Sequence, residues 1–131
     1  MQNNNNNLDS NGLRTQRAPV RHRFHAYDVA LRIDARMGAL VAALKTRNRH
    51  LADQGDRASQ SLVLNVAEGN RRTGRDRAHM FRTARTSADE VESVLDMAVG
   101  RRLLTEAELA ELRALLDRAR AMLHRLIHGR A

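Results

Sequence analysis

Histidine, serine and arginine spacings are where chemistry could reside in this chain. His124 and His128 stand at i and i+4, the separation at which two imidazoles on one helix can share a metal ion. No third ligand accompanies them, nor the glutamate of an H-E-x-x-H pattern, and histidine in a last helical turn is a common partner for a helix C-terminus. Neither a metal site nor a cofactor is expected. Ser61 and Ser87 have no histidine at a spacing that suggests a catalytic triad. A glycine-rich phosphate loop and paired carboxylates on a core-facing stripe are also absent from the sequence. The chain therefore reads as no enzyme, with no small-molecule substrate.

The arginines carry a stronger signal. Arg71, Arg72, Arg75, Arg77, Arg82, Arg85, Arg101 and Arg102 lie between positions 71 and 104. Arg75, His79 and Arg82 stand at i, i+4 and i+7, one stripe beside an expected helix N-terminus, which itself favours anions. Arg71, Arg72, Arg75, His79 and Arg82 form the candidate nucleic-acid contact. With aromatic residues at 2%, almost no side chain is free to stack on bases, so binding would be backbone-driven and salt-sensitive. A solvated basic surface is the competing reading.

Composition sets the frame that must position these groups. The 131 residues, 42% of them hydrophobic, suit one domain with one core. With so few aromatics, that core must come from Leu, Ala, Val, Ile and Met, which pack readily between helices. The absence of cysteine excludes disulfides and thiolate-ligated metals. No apolar run is long enough for a membrane span, and the start MQNNNNNLDSNG lacks a secretory apolar segment, so a cytoplasmic protein is expected. The net charge of +8 rests almost wholly on arginine. It permits a nucleic acid or an acidic protein surface as partner, although a high-GC genome also inflates arginine.

The pattern along the chain predicts a tail and four helices. Residues 1–23, with an Asn tract and then Arg14, Arg17, Arg21 and Arg23 around Pro19, have no apolar periodicity and read as disordered. Residues 24–131 form the bundle. Ala26, Ala30, Ile33, Met37, Leu40 and Leu44 make the first stripe; Lys45, Arg47 and Arg49 follow as charges complementing the helix dipole. The second helix is expected over about Leu51–Ala67, with Gly69 in the left-handed conformation that ends it and 70–74 as a loop. Thr73 opens the third, with Asp76 in a weakened capping box, and Phe81, Ala84, Ala88, Val91, Leu95 and Ala98 line its buried side. After a break at 100–104, Thr105 and Glu108 form a T-x-x-E capping box, and Leu109, Leu112, Leu116, Ala119, Leu123 and Leu126 run to a stop at Gly129. Four helices with short connections predict an all-α, antiparallel up-down-up-down four-helix bundle.

The second helix carries one polar face too many. Leu51, Ala58, Leu62 and Val66 gather on one side, while Gln54, Arg57, Ser61, Asn65 and Glu68 form a stripe beside them. Asn65 and Glu68 are expected to hold the turn into the third helix, by accepting backbone N–H groups or by pairing with an arginine such as Arg85. Arg85 is in turn placed to neighbour Asp89 and Glu92.

Two segments give this stripe a relative. Arg57-Ala58, Ser61 and Asn65-Val66-Ala67-Glu68-Gly69 resemble the pattern R-A-x-S-[IV]-x-x-N-[IV]-A-E-G, and Ala84-Arg85-Thr86-Ser87-Ala88-Asp89-Glu90 resembles A-R-G-S-x-x-E. Both are similar to a four-helix-bundle family that includes proteins encoded by intervening sequences in bacterial 23S ribosomal RNA genes. Val63 stands where that family often has proline, and Thr86 where it has glycine; the first predicts a straighter second helix. The resemblance implies a ring-like homo-oligomer, commonly a pentamer, with no established catalytic activity. A related branch, the accessory protein of diversity-generating retroelements, is a basic ring that binds a reverse transcriptase and RNA.

Two functional expectations follow. One is a non-catalytic, homo-oligomeric bundle that binds structured RNA or a reverse transcriptase through a basic surface. The other is a structural bundle with no nucleic-acid role.

Overall fold

The computed structural model describes residues 25–129; the expectation for the tail at 1–23 lies outside them. Four helices follow one another: α1 (His25–Leu44), α2 (Arg49–Arg71), α3 (Gly74–Gly100) and α4 (Glu106–His128). Connections of only a few residues cannot carry the chain back along a helix, so successive helices run antiparallel. Each packs on its neighbours in the order α1, α2, α3, α4 and back to α1, which makes the closed square of an up-down-up-down bundle. Among the described residues no strand is present.

The core follows the predicted stripes. Ile33, Met37, Leu44, Leu62, Phe81, Leu95, Leu109, Leu116 and Leu123 are all essentially inaccessible to solvent. Leu40 and Leu126, also expected inside, are only half-buried at the edge of the cluster. Helix α4 opens as its sequence dictates. Thr105 Oγ1 accepts from the Glu108 amide at 3.3 Å, and the Glu108 carboxylate accepts from the Thr105 amide at 2.8 Å, so two otherwise orphan donors are satisfied reciprocally.

The α2–α3 junction departs from expectation. Helix α2 does not stop near Ala67: it runs on to Arg71, and only Arg72 and Thr73 separate it from α3. Gly69 is therefore helical and buried, and it ends nothing. A Cβ there would lie 2.5 to 3.0 Å from three atoms of the Phe81 ring. Glycine is needed at 69 so that the buried Phe81 ring can pack directly against the α2 backbone. The left-handed backbone falls instead at Gly74, with φ +59°. Thr73 does cap α3 in an extended conformation, but its side chain makes no capping bond; Asp76 turns back to Arg72 at 3.9 Å, so the weakened capping box does not form. Likewise, Arg47 donates to the Leu103 carbonyl at 2.9 Å in the loop beside it, and no basic residue lies in the last turn of α1. That guanidinium ties two loops together at one end of the bundle rather than serving the carbonyls of its own helix.

Candidate nucleic-acid pole and the motif face

Antiparallel packing brings the C-terminus of α2 and the N-terminus of α3 to one end of the bundle, beside the start of α1 and the end of α4. Arg71, Arg72, Arg75, His79 and Arg82 are all exposed there. They are not equivalent. Glu68, half-buried one turn back on α2, accepts from Arg71 and from Arg72, each at 2.9 Å. These two hydrogen bonds hold the Glu68 carboxyl below the usual carboxylate range. A depressed carboxyl pKa means that the clamp is still closed across the usual carboxylate range and opens only in more acid solution. Near neutrality two of the five basic groups are thus partly neutralised. Arg75, His79 and Arg82 have no ion-pair partner among the described residues, and they stand in one line on α3.

Glu68 does pair with arginine, but with Arg71 and Arg72 rather than with Arg85, the example expected. Arg71 and Arg72 are nearer in the chain and reach Glu68 without crossing to α3. Asp89 and Glu92 also engage other groups. Arg120 of α4 donates to Glu92 at 2.7 Å and approaches Asp89 at 3.9 Å, while Arg113 engages Glu92, Asp96 at 3.0 Å and Glu106 at 2.9 Å. The carboxylates around Arg113 raise its pKa above the ordinary arginine value, hydrogen bonding to Glu106 being the largest cause, so the guanidinium is charged at every accessible pH. Sequence reasoning missed this network because both arginines arrive from another helix.

The motif residues of α2 and α3 meet between the two helices. Ser61 Oγ lies 2.8 Å from Ser87 Oγ, and Ser87 gives its proton to the Thr83 carbonyl at 3.2 Å. Each hydroxyl has one proton, so Ser61 must donate to Ser87, and its own oxygen accepts from Asn65 Nδ2 at 3.1 Å. Asn65 also donates to the Ser61 carbonyl at 2.9 Å. The result is a directional chain from Asn65 through Ser61 and Ser87 to Thr83, which fixes α2 against α3 at one register. Asn65 thus works as a donor to a side chain, in place of the predicted acceptor of backbone N–H groups. Arg77, not singled out from the sequence, completes the junction: it donates to the Gly69 carbonyl at 3.2 Å, and its guanidinium lies 4.8 Å above the Phe81 ring. Its signal was the spacing to Phe81, one helical turn on.

Three motif residues find no such use. Arg57, Arg85 and Glu90 have no hydrogen-bond or ion-pair partner among the described residues, and Arg57 and Glu90 are exposed. His124 and His128 do come together, with ring centroids 4.5 Å apart, but no group of three ligating side chains exists among the described residues. No helix there is long and apolar enough to cross a membrane.

Comparison with known proteins agrees with this architecture. Residues 23–125 match the family model described as the 23S rRNA-intervening sequence protein. A crystal structure of a protein of unknown function from the S23 ribosomal protein family of Bacteroides thetaiotaomicron superimposes with a TM-score of 0.74 at 19% identity, covering 79% of this chain and 99% of that one. That likeness shows the shared fold. No curated protein matches the chain. With the four-helix architecture and a match spanning most of its length, the chain belongs to the 23S rRNA-intervening sequence protein family.

Proposed function

We propose that this chain is a non-catalytic, cytoplasmic assembly protein, a ring-like homo-oligomer, whose basic pole holds structured RNA by its phosphates. The observation that carries this reading is the line of exposed, unpaired Arg75, His79 and Arg82 at the α2–α3 end, beside Arg71 and Arg72. Arg71, Arg72, Arg75 and Arg82 bring charge without a base-reading element, so affinity comes from phosphate neutralisation and counterion release. A ring would repeat the pole in every copy, and a phosphate chain could engage several poles at once. The resemblance to the accessory protein of diversity-generating retroelements extends the same surface to a reverse transcriptase as partner.

Binding of labelled structured RNA across a salt series tests the proposal. Affinity should fall steeply with salt, and Arg75→Ala and Arg82→Ala should each weaken binding uniformly across RNA sequences and flatten the salt slope by about one charge. Weak binding that ignores salt would favour the second reading, a structural bundle with no nucleic-acid role. Glu68 favours that second reading, because it neutralises part of the pole from within the chain.

A further inference from the structure

The α2–α3 face is the least finished surface of the molecule. A shallow cavity of about 470 Å³, bordered by Arg57, Ser61, Leu64 and Glu90, continues through Gln54 and Glu90 into a second of about 300 Å³ bordered by Val94 and Met97. Leu64 and Met97 are 66% and 47% exposed, two of only three large apolar side chains so exposed among the described residues. Arg57 and Glu90 stand beside them with no hydrogen-bond or ion-pair partner among the described residues.

The third exposed apolar side chain, Leu31, marks a complementary surface. Helix α1 is apolar on two opposite sides: one is the core stripe, and the other carries Leu31, Ala35, Gly38 and Ala42 within an arc of about 60°, all facing solvent. A helix apolar on both sides is normally covered on both. Asp28 and Arg32, one helical turn apart beside this outer face, also lack an ion-pair partner among the described residues. Gly38 sits in mid-helix with nothing within 4 Å of a built Cβ, so the fold of the single chain does not require it, although glycine there costs about 1 kcal/mol against alanine. A second helix lying against α1 would require it, since small residues let axes approach closely.

We propose that the α2–α3 groove receives the outer face of α1 from a second copy of this chain. The inference rests on the self-assembly reading above and names the surfaces that make it. Leu64 and Met97 meet the small-sided face around Gly38, and the uncompensated Arg57 and Glu90 meet the uncompensated Asp28 and Arg32. Each copy offers one groove and one helix face on different sides of the bundle. The contact is therefore head-to-tail, the kind whose repetition closes a ring when the rotation between copies divides a full turn.

Sedimentation velocity on the full chain tests it with two variants, Gly38→Glu on the helix face and Leu64→Glu in the groove. Both sites are open in the single chain, so helicity should hold, and below the assembly concentration the melting temperature should stay near the wild-type value for Leu64→Glu and rise for Gly38→Glu. Wild type should sediment as an oligomer and each variant as a monomer. An equal mixture of the two variants should form a two-copy complex and nothing larger, because one keeps an intact groove and the other an intact α1 face. Variants that assemble like wild type would overturn the assignment while leaving self-assembly standing, and a mixture that stays monomeric would overturn the head-to-tail contact. A monomeric wild type would overturn both this inference and the self-assembly reading, with the RNA-binding pole judged separately by the salt series. If Leu64→Glu lowers helicity, Arg57→Glu takes its place with the same outcomes.

Discussion

The α3–α4 face and the α2–α3 face use opposite chemistry for the same task of holding neighbouring helices. Across α3–α4, Arg113 and Arg120 converge on the two oxygens of Glu92, and three of the five carboxylates of α3, Asp89, Glu92 and Asp96, engage an arginine of α4. Across α2–α3 no ion pair joins the two helices among the described residues: the links are a hydroxyl chain, an aromatic ring set into a glycine notch, and the Arg77 guanidinium on the Gly69 carbonyl. Of the other two carboxylates of α3, Asp76 turns to Arg72 in the link, and Glu90 lies on that second side with no partner among the described residues. Charges are satisfied internally where the chain closes on itself, and are left available where a partner is expected.

The largest expected effect is on the neutral side. Gly69→Val should push Phe81 out of its seat and cost about 3 kcal/mol, read as a fall in the denaturation midpoint at constant slope. Next, Glu92→Ala removes the acceptor shared by two half-buried guanidiniums and should cost about 1–2 kcal/mol, a loss that shrinks in high salt. Ser61→Ala and Ser87→Ala should each cost about 1 kcal/mol, with a positive coupling in the double-mutant cycle that salt does not change. Glu90→Ala should leave the stability of the single chain within about 0.5 kcal/mol, since nothing in the bundle depends on it. A large loss there, measured below the assembly concentration, would erase the contrast between the faces. Glu68→Gln sharpens it from the other direction: by releasing Arg71 and Arg72 it should strengthen RNA binding a few-fold and steepen its salt dependence.

Features decided within one or two turns were legible in the sequence. The Thr105–Glu108 box, the α3 seam and the α4 seam as far as Leu123 need only local spacing, and the structure has them where spacing put them. Gly69 was not legible, because its reason is a ring twelve positions on in another helix, and glycine near an expected helix end has a commoner explanation. The partner of Glu68 was ambiguous, since several arginines lie within reach on paper and only the continuation of α2 to Arg71 decides among them. Arg113 and Arg120 carry no local signal of their network, because the partner they share, Glu92, lies on α3 and is met only when α4 packs against it. For the candidate site, the residue types could be read and the accounting of which charges are already engaged could not.

The two-residue link between α2 and α3 also sets an order of events in folding. It closes the shortest loop in the bundle, and it joins the two helices that share the most extensive interface. Loop-closure entropy is smallest there, so this hairpin is the natural nucleus. The α1–α4 seam joins the most distant parts of the described chain through the least extensive interface. It should close last and open first, so amide hydrogen exchange along α1 and α4 should run ahead of exchange along α2 and α3.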